Sequence, residues 1–217
     1  MEIKNMNDLE KRILSISFRH KLSHIGSSLI SVNVIDKIFM TKKSSDPFIL
    51  SNGHAGLALY CVLEKYGYGD AEELFKKHGV HPNRDVKHGI YTSTGSLGHG
   101  IGIALGMALA DKTQIVYVLL SDGECTEGSV WEALRLAGDL RIENLRVAVV
   151  ANSYSAYGRI DVEDLDRRLC TFYPVLVVKC NLFHLPDFMQ GQQAHYVIMT
   201  DEQYKEISNK VGFGAGG

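Results

Sequence analysis

Two apolar runs set thirty residues apart constrain this chain more than any other feature. Ile115-Val116-Tyr117-Val118-Leu119-Leu120 and the stretch 145–150 are short, continuous and β-branched, and the first is bounded by Asp111-Lys112-Thr113 and Asp122-Gly123. A strand without polar alternation has no face to give to water, so both faces must be covered, the condition met by strands of a parallel sheet. Between the runs, 126–140 reads as a helix with Glu127 in its first turn and Trp131, Leu134 and Ala137 on one face. Further strands are expected at 174–178 and 194–199, and further helices at 8–21, 31–40, 55–66 and 71–77, with Phe48 to Leu50 a small apolar step before the turn cluster Ser51-Asn52-Gly53. The expected fold is α/β, a three-layer stack of helices, parallel sheet and helices.

In such sheets ligands sit beyond the carboxyl ends of the strands. The residues there are Ser121-Asp122-Gly123 and Ala151-Asn152-Ser153-Tyr154. One carboxylate, one amide oxygen and a backbone carbonyl suit a hard cation such as Mg²⁺, which keeps room for phosphate oxygens and water. An ordinary turn at Asp122-Gly123 and an ordinary loop at Asn152 satisfy the spacing equally well.

Glycine is abundant, 21 residues of 217, and concentrated between Gly53 and Gly128. The stretch Thr94-Gly95-Ser96-Leu97-Gly98-His99-Gly100-Ile101-Gly102 fails the GxGxxG pattern in both registers, because Ile103 and Leu105 stand where the third glycine belongs, and no GxxxxGK[ST] loop occurs. Gly98, Gly102 and Gly106 recur every four residues, a helix face suited to close packing, while Gly95-Ser96-Leu97 can present backbone amides. His20 and His24 are four apart, but Lys21 occupies the place of the glutamate in HExxH, which argues against a zinc protease. His54 and His81 lie in loops; each alone reads as a surface residue, and together with His24 they suggest a polar pocket able to shuttle protons.

Composition removes other classes. A formal net charge of −2 gives no electrostatic case for nucleic acid or an anionic membrane. The longest apolar stretch, 101–110, is too short to span a bilayer, and the N-terminus lacks a secretory apolar core. Cys61, Cys125, Cys170 and Cys180 are scattered without a CxxC pair, as expected of a reduced, cytoplasmic protein. One domain over 1–210 and a flexible glycine-rich tail at 211–217 are expected.

Taken in order, the motifs resemble the N-terminal, diphosphate-binding half of the transketolase family over roughly residues 10–178. LSHIGSS at 22–28, DPFILSNGHA at 46–55, HPNRDVKHGIYTSTGSLGHGIGIALGMALA at 81–110 and SDGECTEG at 121–128, with Asn152 thirty residues after the motif aspartate, carry the resemblance. It implies the diphosphate-binding (PP-type) fold with thiamine diphosphate and Mg²⁺, or another divalent cation such as Ca²⁺, as cofactors. Asp122, Asn152 and the carbonyl of Tyr154 would be the metal ligands. His54, Gly95, Ser96, Leu97, Ser121, Asp122, Gly123 and Asn152 would hold the cofactor, and His24, His54 and His81 would serve the chemistry of a sugar donor. Glu127 matches the family's acidic residue at the subunit interface. Three positions depart from the pattern: Ser121 stands in place of the first glycine of the family's GDG, and Val150 and Ala151 stand where the family carries polar residues that support the metal ligand.

The resemblance further implies one chain of a two-component enzyme, acting on a sugar or sugar phosphate. Its partner would carry the pyrimidine-binding domain, and a homodimer contact would lie within a heterotetramer. Two other expectations stay open, a non-catalytic scaffolding relative and a synthase using a 2-oxo acid donor.

Overall fold

The computed structural model describes residues 6–155, 157–180, 186–189 and 196–211. Its helices are α1 (Asp8–Arg19), α2 (Ile25–Thr41), α3 (Gly56–Lys65), α4 (Ala71–His78), α5 (His99–Ala110), α6 (Gly128–Asp139), α7 (Val162–Phe172) and α8 (Asp201–Val211). The strands are β1 (Phe48–Leu50), β2 (Val116–Ser121), β3 (Leu145–Ala151), the short pair β4 (Tyr154–Ser155) and β5 (Gly158–Arg159), and β6 (Val175–Lys179).

The sheet runs β1-β2-β3-β6 and every pairing in it is parallel, with Val118 opposite Val147 and Val149 opposite Val177. Strand side chains alternate between two cores. Phe48, Leu50, Leu119, Ala148 and Val150 join a cluster built with α1 to α4 and α8. Ile49, Val118, Leu120, Val147 and Val149 join a second cluster built with α5, α6 and α7. Covering both faces is what the unbroken apolar runs require, and the three-layer expectation holds.

Local chemistry fixes several ends. Asn7 and Glu10 form a reciprocal capping box at α1, while Asp70 and Asp161 accept first-turn N–H groups of α4 and α7. No described helix is long and apolar enough to cross a membrane.

Three expectations change. The fourth strand of the sheet is β1, and the strand expected at 194–199 is absent from 196–199, with Ala194 and His195 outside the described residues. Helix α2 starts at Ile25 rather than residue 31, because Ile25, Leu29 and Ile30 are buried and pull the first turn into the core. No described residue packs on the glycine face of α5: Gly102 and Gly106 have open space where a Cβ would stand, and Ile103 and Leu109 beside them are exposed. Only Gly98 meets close neighbours. Helices α7 and α8 complete the two outer layers; of the tail expected at 211–217, Val211 ends α8 and the rest lies outside the described residues.

Candidate functional site

Because β1, β2 and β3 are parallel, the chain leaves all three at one edge, and the motif residues meet there. Asp122 follows β2 and is almost fully buried. Its Oδ2 accepts the N–H groups of Asn152 at 2.9 Å and Ser153 at 2.8 Å, and its Oδ1 accepts that of Gly123 at 2.9 Å. Asn152 Oδ1 in turn accepts the N–H of Tyr154 at 3.0 Å. The Tyr154 carbonyl oxygen faces the same turn, 3.4 Å from where a Cβ on Gly123 would stand. Ser153, at φ 70, makes the chain double back between them. The three expected metal ligands are thus brought together. The support that Val150 and Ala151 cannot give through side chains comes from backbone N–H groups instead.

No described Lys, Arg or His forms an ion pair with Asp122. Burial pushes its carboxyl up to about 6, against the pull of the N–H groups of Ser153, Gly123 and Asn152. A buried anion without a cation is costly, and a divalent ion on its remaining lone pairs would relieve the cost.

Beside this turn the glycine loops form a tight cradle. A Cβ on Gly53 would lie 2.7 Å from the Gly95 nitrogen, so only glycine lets the loops after β1 and before α5 touch. Gly95 at φ 150 and Gly98 at φ 80 turn the Gly95-Ser96-Leu97 segment into the N-terminus of α5, where N–H groups are available to an anion. The His81 ring lies against Gly95, and the Glu127 side chain crosses Gly98. Glu124, fully buried, accepts the Ser51 hydroxyl at 2.6 Å and the Gly98 N–H at 2.7 Å through Oε1. Burial pushes its carboxyl up to about 7, opposed by those same bonds. Of the five buried oxygens that have no partner among the described residues, three belong to these loops: Asn52 Oδ1, Thr94 Oγ1 and Glu124 Oε2.

His24, at φ 62, heads α2 with its Nδ1 hydrogen-bonded to Ser23 Oγ at 2.7 Å. Its ring centre is 5.7 Å from that of His54 and 6.4 Å from that of Tyr196. His20 turns away to Glu72 at 2.8 Å, which separates it from His24 as a metal pair. Among the described residues no group of three His, Cys, Asp or Glu could hold a metal, so the candidate cation site is the oxygen set with its single carboxylate. That set, the orphaned oxygens and the glycine cradle fit a diphosphate carried on a hard divalent cation.

Comparison with known proteins covers the region that holds most of this edge. Residues 36–173 match the family model described as transketolase, thiamine diphosphate binding domain. The chain belongs to the transketolase family. Asp122, Asn152, Tyr154 and the 95–98 turn lie within the matched residues. The 6-deoxy-6-sulfo-D-fructose transketolase subunit of a Clostridium species is 34% identical over 211 residues, covering 87% of this chain and 74% of the relative. An apulose-4-phosphate transketolase subunit from Phocaeicola vulgatus is 34% identical over 160 residues, 64% of this chain and 56% of the relative; the chain spans about half the length of such curated relatives. A transketolase from Pichia stipitis shares the fold, with a TM-score of 0.74 at 24% identity over 95% of this chain and 41% of that one.

Sequence reasoning passed over Ser51, Glu124 and Tyr196. Glu124 sits inside the motif SDGECTEG, where the signal was an acidic residue in a turn between two buried segments. Tyr196 lies beyond the family match and had no signal.

Proposed function

We propose that the chain is the diphosphate-binding subunit of a two-component, thiamine-diphosphate-dependent transketolase-like enzyme. It would move a two-carbon ketol unit from a ketose or ketose phosphate to an aldose. The observation that carries this reading is Asp122: a buried carboxylate with no cation partner among the described residues, at a strand end, beside Asn152 and Tyr154. Asp122, Asn152 and the Tyr154 carbonyl would hold Mg²⁺ or Ca²⁺, and Gly123, Ser121, His54 and the Gly95-Ser96-Leu97 turn would hold the diphosphate and ring. When bound, thiamine diphosphate supplies the nucleophilic carbon and electron sink that ketol transfer needs.

The chain's own part is positioning and proton transfer. Ser23 fixes the His24 ring through Nδ1, so proton transfer at His24 falls to Nε2, next to His54. His81, packed on Gly95, serves the same donor side. The synthase alternative has less use for three imidazoles than a ketose donor with several hydroxyls. One ground for the scaffolding alternative was the absence of polar residues at 150–151, and the backbone N–H groups of 152 and 153 support Asp122 in their place.

The partner would be a chain carrying the pyrimidine-binding domain. The names of the apulose-4-phosphate relatives support a sugar phosphate as substrate, and that of the Clostridium relative supports a sulfo sugar, so an anionic sugar is the shared class. We place a homodimer contact, within a heterotetramer in the cytoplasm, on the open α5 face of Gly102, Ile103, Gly106 and Leu109 with Glu127 nearby. One domain would span 1–210, with 211–217 as its tail. The test is to purify the chain with such a partner and measure thiamine diphosphate binding by calorimetry with and without Mg²⁺, then ketol transfer from a ketose phosphate. Cation-dependent binding and turnover are expected; a well-folded complex that binds no cofactor sinks the reading.

A further inference from the structure

Glu124 is a buried carboxyl of this edge without a task in the reading above. Its Oε1 takes two donors that are distant in sequence, the Ser51 hydroxyl at 2.6 Å and the Gly98 N–H at 2.7 Å. Its own N–H donates to Ser121 Oγ at 3.1 Å. One carboxyl thus ties together the segment after β1, the start of α5 and the turn after β2. The join is close: a Cβ on Gly100 would stand 2.5 Å from Ser51 Oγ, and one on Gly98 would stand 2.2 Å from Ser129 Oγ. The other oxygen, Oε2, is buried without a partner among the described residues.

As a device for stability this is a poor one, since a buried oxygen without a partner costs more than an apolar side chain of similar size. As a device for spacing it is effective. The two donors approach one oxygen from different loops, so neither loop can shift without breaking a bond to that oxygen.

We propose that Glu124 is a positioning residue. Through Ser51 and Gly98 it holds the Gly95-Ser96-Leu97 turn at a fixed distance from Asp122, so that the anion-facing amides and the metal-binding carboxylate are in register for one ligand. The proposal rests on the cofactor reading above and deepens it.

The experiment uses the chain with its pyrimidine-domain partner, titrated with thiamine diphosphate in the presence of Mg²⁺, together with amide hydrogen exchange of the ligand-free chain. Glu124→Ala is expected to weaken binding about tenfold, the order of one lost bond to a charged group. It should also speed exchange at residues 95–98 while β2 and β3 stay protected. Glu124→Gln keeps an acceptor at Oε1 and should bind within about twofold of the unsubstituted chain. Ser51→Ala removes one donor and should fall between them, which serves as the deciding variant if Glu124→Ala does not fold. Unchanged affinity and unchanged 95–98 exchange in a folded Glu124→Ala or Ser51→Ala chain overturns the proposal. Loss of fold protection throughout β2 and β3 together with the 95–98 turn, in both variants, also overturns it, because the role is then general stability. If the unsubstituted complex binds no cofactor, the cofactor reading fails by itself, and the exchange result in the free chain still decides whether the tie exists.

Discussion

Two aspartates in loops of this fold make opposite use of a carboxylate. Asp85 closes the segment between α4 and α5 and is met by the protein's own cations. Its Oδ2 takes Lys77 Nζ at 2.6 Å, His88 Nδ1 at 2.7 Å and His78 Nε2 at 3.2 Å, while its backbone pairs with Ile90 in both directions. The Lys77 bond leads the effects that hold its carboxyl well below the usual range, with burial opposing and His88 assisting. Among the described residues Asp122 has backbone N–H donors alone, and burial drives its carboxyl the other way, to about 6. The first loop is finished by the chain, whereas the second is left with a negative charge for something else to answer.

Exchanging charge for neutrality at each aspartate should separate the two most widely. In the complex, Asp122→Asn is expected to weaken Mg²⁺-dependent thiamine diphosphate binding by about a hundredfold or more and abolish turnover, since the only carboxylate of the cation site is gone. Asp85→Asn should leave cofactor affinity within about twofold and instead cost about 1–2 kcal/mol of stability, the scale of a half-buried pair losing its partners. Calorimetry and denaturant unfolding of both variants check this. Equal effects on affinity would erase the distinction.

The pH dependence should differ in sign. A carboxyl whose folded pKa lies above the unfolded value binds its proton better when folded, so the ligand-free chain should lose stability as pH rises from about 4 through 6 on account of Asp122. Glu124 extends that loss toward 7. Asp85 is depressed, so its contribution is present above pH 4 and disappears as pH falls below it. Thermal unfolding between pH 3 and 8 should show Asp122→Asn flattening the upper part of the curve and Asp85→Asn the acid part. Saturating Mg²⁺ and cofactor should remove the Asp122 part of that slope, because the cation takes the place of the proton, and leave the part due to Glu124. A slope that ligand leaves untouched would argue that no cation sits on Asp122.

Much of this was legible beforehand, for physical reasons that vary along the chain. The runs at 115–120 and 145–150 were readable because strands covered on both faces leave an unbroken apolar signature, and parallel pairing then carries Asp122 and Asn152 to one edge. The three residues of β1 are too few to show a period, so the sheet's fourth strand was misplaced to 194–199. Gly102 and Gly106 looked like packing positions because four-residue spacing gives a face and says nothing of its occupant. Glu124 was hidden because its partners, Ser51 and Gly98, are 73 and 26 residues away and meet it only after folding. No local pattern records such a meeting.

A smaller contrast lies in the backbone of the two loops. Next to Asp85 the left-handed position is filled by Gly89, at φ 79, the residue suited to it, and a Cβ there would also stand 3.0 Å from Leu63 Cδ2. Gly89→Ala should therefore destabilise by about 1–2 kcal/mol. Next to Asp122 the left-handed position is Ser153, at φ 70, a residue that pays for the conformation. Ser153→Gly relieves about 1–2 kcal/mol of backbone cost and gives back about 0.5–1 kcal/mol in unfolded-chain entropy, so the chain should gain about 0.5–1 kcal/mol. The N–H that Ser153 donates to Asp122 Oδ2 at 2.8 Å belongs to the backbone and survives the change. Added stability without tighter cofactor binding is the expected pair of results, because glycine lets the Asn152–Tyr154 turn sample arrangements that serine forbids. If Ser153→Gly instead destabilises the chain, the turn stores no strain, and the two loops differ in charge alone.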